Sequence, residues 1–151
     1  MFGPAFYLFG CFVITMVLIG IYMMLRPVHV RNDSSSLKAA IPLFFMCAAA
    51  PYGRVEFLTS QYGPDLEPAI MDVFDGSEIE GEFQYYRVVS MSGEKARAIA
   101  VGLETADWGG TDRPVIAISL DKVGGEWEAT SYYTVYSDRL QRDSSTFPPY
   151  R

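Results

Sequence analysis

PVIAISLDKVGGEWEATSYYTVY, residues 114–136, is the stretch on which the fold turns. Apolar side chains recur at every second position through Ile116, Ile118 and Leu120, the period of a strand with one buried face. Gly124-Gly125 interrupts the alternation. Both central positions of a two-residue hairpin turn take positive φ, which glycine adopts at no steric cost. A second alternating run follows and sets Trp127, Ala129, Ser131, Tyr133 and Val135 on one side. The stretch therefore predicts an antiparallel hairpin.

Working outward, ARAIAVGLE (96–104) alternates as well, with Ile99, Val101 and Leu103 on one face and Ala98, Ala100 and Gly102 on the other. EFQYYRVVSM (82–91) is rich in aromatic and β-branched residues and stops at Ser92-Gly93. The loop TADWGGTDR (105–113) joins the second and third runs. Four strands in succession predict an antiparallel meander. A meander with one apolar face needs a cover, and the chain between Leu37 and Phe74 supplies it as short helices. Val55, Leu58 and Tyr62 share one helical face, and Gly63-Pro64 is read as a helix end. Pro68 suits the first turn of a further helix, Pro68 to Phe74, closed by Asp75-Gly76. LKAAIPLFFMCAAAPY (37–52), opened by a cap at Ser35 or Ser36, has an apolar core from Ala39 to Ala50. That core is too short to cross a bilayer and is read as a core helix of the domain, with a membrane-surface segment as the alternative.

FGPAFYLFGCFVITMVLIGIYMML (2–25) precedes all of this without a charged side chain. About 20 apolar residues cross a bilayer core of about 30 Å, so residues 1–25 read as a transmembrane anchor. A cleaved signal peptide would need a basic start and a small-residue cleavage site, and the stretch has neither. The expected organisation is an anchor over 1–25, a juxtamembrane linker over 26–36, an α+β domain over 37–137 and a disordered tail over 138–151. The fold class is α+β, with one N-terminal span and short helices on a four-stranded antiparallel meander.

The chain's formal net charge is -6. An acidic chain is a poor partner for nucleic acid, whose phosphates call for clustered basic residues. Cys11 and Cys47, the only cysteines, give no sign of a disulfide-stapled fold. The single histidine, His29, falls in the linker, so no Ser-His-Asp or Cys-His arrangement is available to the domain. No Cys or His pair has metal-ligand spacing. Glu78, Glu80 and Glu82 alternate and are read as a solvated strand face. The paired glycines have no helix behind them and so do not make a phosphate loop. The reading carries no catalytic, cofactor-binding or metal-binding residue.

Aromatic side chains are the candidates for partner contact. Trp108 sits in the long loop beside Asp107 and a glycine pair; Tyr86, Tyr132 and Tyr136 fall on the first and fourth strands.

The order of elements resembles the cytochrome oxidase complex assembly factor 1 family. The matching positions are Pro51 and Tyr52, Pro68 to Ile70, Gly76 with Ile79 and Glu80, and Gly124 to Trp127. That resemblance implies an assembly or chaperone-like role for a membrane complex, with the domain in the periplasm or intermembrane space. The helical layer and the closing GGEWEATSYY hairpin are also similar to the nuclear transport factor 2-like fold, which implies a sheet face holding a small ligand or a protein partner.

The expected function is non-catalytic. A single-pass membrane protein acts by protein-protein contact as an assembly or accessory factor, its partners being the membrane and a membrane-protein complex. The alternative is a cone-shaped domain with a ligand-binding or enzymatic pocket, in which Asp72, Asp75 or Glu104 points inward. Arg26, Arg31 and Lys38 follow the span and none precedes it; taken alone, the positive-inside rule places the domain in the cytoplasm or matrix, against the side the family resemblance implies.

Overall fold

The computed structural model describes residues 3–25, 35–106 and 109–148. The chain divides into two compact units, residues 1–53 and 54–151.

The first unit holds helix α1 (Gly3–Leu25) and the first half of helix α2 (Ser35–Asp75). Along α1 the covered positions are Tyr7, Gly10, Cys11, Thr15, Ile19 and Met23, spaced by three and four. On α2 the matching stripe runs through Ala40, Leu43, Phe44, Cys47, Ala48 and Pro51. The Tyr7 hydroxyl donates to the Ala48 carbonyl, and the Tyr7 and Tyr52 rings meet edge to face at 6.2 Å. An early residue of α1 thus meets late residues of this half of α2, so the two run antiparallel. Cys11 and Cys47 are free thiols. α1 is long and apolar enough to cross a membrane. The expected linker lies outside the described residues except for Ser35 and Ser36, which open α2.

The second unit is a sheet covered by the rest of α2. The strands are β1 (Glu82–Ser92), β2 (Lys95–Thr105), β3 (Thr111–Asp112), β4 (Val115–Val123), β5 (Glu126–Ser137) and β6 (Arg142–Asp143). All pairings are antiparallel in the order β1-β2-β4-β5-β6, with β3 on β2. Six strands replace the four expected. β3 and β6 are two residues each, too short for an alternation to register. β6 also falls within the stretch 138–151 expected as a disordered tail. There it pairs with Tyr136 and Ser137, and the Ser144 N–H donates to the Val135 carbonyl at 2.9 Å.

The expected short helices are one 41-residue helix. Gly53, Gly63-Pro64 and Pro68 do not end it. The reason is a continuous apolar stripe: Val55, Leu66, Ile70, Val73 and Phe74 are buried, and Leu58, Tyr62 and Ala69 pack beside them. A proline inside a helix costs about 3 kcal/mol. Burying Leu66 and Ile70 alone returns about 1.5–3 kcal/mol each. Gly63 answers to a neighbour rather than to a helix end. A Cβ there would stand 2.8 Å from the Tyr86 hydroxyl, so a larger residue would require the end of that ring to shift.

The stripe lies over Ala96, Ala98, Ala100, Val88, Ile116, Ile118 and Leu120. On β2 the small side chains face the helix, while Ile99 and Val101 turn to the opposite face and pack with Val115 and Val135. Two bulges on β5 shift its register. One falls at Thr130, so the sides expected beyond it are reversed. Trp127 packs on the helix-side core, and after the bulge it is Tyr132, not Tyr133, that shares a groove with α2.

Helix and sheet are also tied by a polar bond. The Thr59 hydroxyl donates to the Val55 carbonyl and accepts the Val88 N–H, both at 2.8 Å. Val88 is fully buried, so no water replaces that acceptor. Thr59→Val keeps the shape and orphans a buried donor, a change of about 1–3 kcal/mol. Thermal unfolding of the variant is expected about 4–8 °C lower per kcal/mol lost, with the far-UV circular dichroism spectrum of the folded state unchanged.

Candidate functional site

The most open part of the second unit is β5. From Glu128 to Tyr133 every residue is exposed, which means neither face of the strand is covered. Its inner edge pairs with β4, while β6 reaches only Tyr136 and Ser137 on the outer edge. Among the described residues no strand pairs with the outer edge between Glu126 and Thr134. A row of backbone donors and acceptors along it therefore has no strand partner among the described residues.

A groove of about 590 Å³ runs beside this strand. Ala69, Asp72 and Val73 of α2 form one wall, and Trp127 to Tyr132 of β5 form the other. It exists because α2 lies over β1, β2 and β4 and leaves β5 uncovered. The rim is acidic through Asp72 and Glu128. Lys122 stands over the Trp127 ring at 5.7 Å, a cation–π contact that holds the indole at the end of the groove.

The four aromatic candidates separate. Tyr132 is exposed and lines the groove. Tyr86 is half-buried against the helix-side core; its hydroxyl donates to Glu67 Oε2 at 3.2 Å. Burial, and then the Glu67 carboxylate, push its phenol above the ordinary tyrosine range. Tyr136 packs against the opposite apolar cluster and pairs with Asp143. Trp108 lies outside the described residues, as does His29. Trp127 and the exposed β5 edge were missed as a contact surface. Alternation assigns a side chain to a face but does not say which strand the helix fails to cover.

The carboxylates named for a pocket are placed apart. Asp72 is on the groove, Asp75 is exposed, and Glu104 is buried at the end of β2. Glu104 Oε1 accepts from the Ser137 hydroxyl at 3.2 Å, and Oε2 stands 3.8 Å from Arg139 Nε. Arg139 also donates to the Glu78 carbonyl and pairs with Glu80 at 3.2 Å. Beside it, Asp112 Oδ2 accepts the Asp138 N–H at 2.8 Å. One guanidinium thus fastens the turn after β5 to the segment before β1. The row expected of Glu78, Glu80 and Glu82 does not form, because only Glu82 belongs to β1 and Glu80 is taken by Arg139. Among the described residues no group of three or more His, Cys, Asp or Glu side chains is placed to hold a metal ion.

No family model, no curated protein and no solved structure matches this chain.

Arg139→Ala leaves the Glu104 carboxylate buried without a counter-charge, a loss of about 3–5 kcal/mol. Glu104→Gln in the same chain is expected to restore part of it, so the pair of changes measures less than the sum of the two in urea unfolding.

Proposed function

We propose that this is a membrane-anchored, non-catalytic protein that works by protein-protein contact. Its docking site is the open edge and groove of β5, and its role is that of an assembly or accessory factor of a membrane complex. The observation that carries the reading is the exposure of both faces of β5 beside an unpaired edge. Such a strand accepts an extended segment of another protein by β-augmentation. Backbone hydrogen bonds give affinity, and the groove beside Trp127 and Tyr132 takes alternate side chains. The acidic rim of Asp72 and Glu128 suits a neutral or basic segment.

An anchor supports the same reading, since confinement to the membrane raises the effective concentration of membrane-bound partners. α1 is held within its own unit by the Tyr7 hydrogen bond and the Tyr7–Tyr52 ring contact, contacts that a removable leader would forfeit. The resemblance to the oxidase assembly factor family points the same way.

A small-molecule pocket is the rival. The groove is open along its length and Asp72 is solvated in it, which favours a peptide over an enclosed ligand. A photoreactive phenylalanine analogue at Tyr132, in the full chain in native membranes, is expected to form one discrete adduct with a membrane protein. The same analogue at Val123, on the hairpin tip, is expected to form none. Equal yields at the two positions, or a small molecule retained in the groove on native mass spectrometry, would count against the reading.

A further inference from the structure

α2 is a helix of 41 residues, and its first half is inside out by the standards of a water-soluble protein. The positions covered by α1 include the small residues Ala40, Cys47 and Ala48, and on α1 the two buried side chains are Cys11 and Thr15. Leu43 and Phe44 are covered beside them, while other large apolar side chains point away. Ile41 is 64%, Phe45 65% and Met46 66% exposed. Small residues in a seam and bulky apolar ones outside is how helices pair in lipid, where close backbone approach drives association and the surroundings are themselves apolar. A core helix over 37–50 would hide these side chains, and here they are exposed.

The segment is bounded as a span would be. Residues 39–53 carry no charge, which at about 1.5 Å per residue covers roughly 22 Å. Lys38 stands at one end and Arg54 at the other, and both are exposed. Snorkelling basic side chains close the remaining distance to a core of about 30 Å. Tyr7 and Tyr52 meet at the Arg54 end, where interfacial tyrosines are favoured. The prolines at 42 and 51 are compatible with helices in membranes. The longer stretch that contains it, Lys38–Asp75, has a mean hydropathy of 1.2, against 2.5 for Ala5–Leu25 of α1.

We propose that α2 crosses the membrane a second time, so that α1 and residues 38–53 form a transmembrane hairpin whose outer face is solvated by lipid acyl chains. Connectivity then fixes the sides. Residues 26–34 then lie on one side and residues 54–151 on the other. Between the two spans are Arg26, Arg31 and, at the start of the second, Lys38; within 20 residues after it the only basic side chain is Arg54. The positive-inside rule counts such residues and holds the loop in the cytoplasm. Residues 54–151, with 17 of the 18 acidic side chains, emerge on the opposite side. The three basic residues that would retain the domain after one crossing export it after two.

The inference rests on the membrane-anchor reading, and one experiment separates the two. Ser34→Cys in the loop and Ser92→Cys at the end of β1 are made singly in the full chain. Each is treated with a membrane-impermeant maleimide on intact bacterial host cells and again after lysis in detergent. The expected result is that Ser92→Cys reacts in intact cells and Ser34→Cys only after lysis, wild type giving the background from Cys11 and Cys47. External protease on unmodified cells is expected to degrade residues 54–151. Reaction of both positions on the same side would overturn the second crossing and leave the anchor standing. Loop outside with domain inside would overturn the assigned sides. Release of the chain by alkaline carbonate would overturn the anchor, and this inference with it.

Discussion

The contact between the apolar stripe of α2 and the small residues of β2 sets the rest of the second unit. Alanines at 96, 98 and 100 keep the sheet low beneath the helix, and Leu66 and Ile70 fill the space to complete burial. Close packing of this kind is intolerant of displacement, so the helix cannot slide toward β5 without uncovering Val88 and Ala98. The uncovered β5 is the consequence. A helix wide enough to shield about three strands, seated over β1, β2 and β4, leaves a fourth long strand bare.

The same contact explains which local signals lose. Gly63-Pro64 and Pro68 are strong punctuation in isolation, yet the stripe runs straight through them. Tertiary burial outweighs propensity when the apolar positions on either side remain in phase, and Leu58, Tyr62, Leu66 and Ile70 do. The phase was readable in the sequence. Its continuity across the glycine was not, because the ring that packs there is Tyr86, a residue 23 positions later that no local window contains. The α+β class, the antiparallel order and the hairpin at Gly124-Gly125, with φ of 63° and 99°, follow from periods and turn chemistry alone. The bulges do not, since each adds one residue and reverses the faces beyond it. That is why Tyr132 and Tyr133 exchange sides relative to simple alternation.

The candidate surface was legible only in part. Tyr132 can be named from sequence because an aromatic pair on a strand must put one ring on each face. Tyr86 and Tyr136 are equally aromatic, but one is spent on Glu67 and the helix-side core, the other on the apolar cluster beneath β5. What separates them is coverage, a property of where the helix lies, and coverage is not written in any single strand. Glu104 illustrates the converse. The sequence offers it only as one of three carboxylates that a pocket would need; in the fold it is buried beside Arg139 from the turn after β5. The interaction that holds it spans elements far apart in the chain.

The two units obey opposite solvation rules. In residues 54–148 Leu66, Ile70, Ile116, Ile118 and Leu120 are hidden between helix and sheet; in the paired helices of residues 3–25 and 35–53 Phe9, Phe12, Phe45 and Met46 are exposed. Water favours the first arrangement, by about 25 cal/mol for each Å² of apolar surface removed from it, and it penalises the second by the same measure. One helix, α2, carries both patterns, and the change falls where the first charges after Lys38 occur, Arg54 and Glu56. The proposed second crossing places the edge of the lipid at this change.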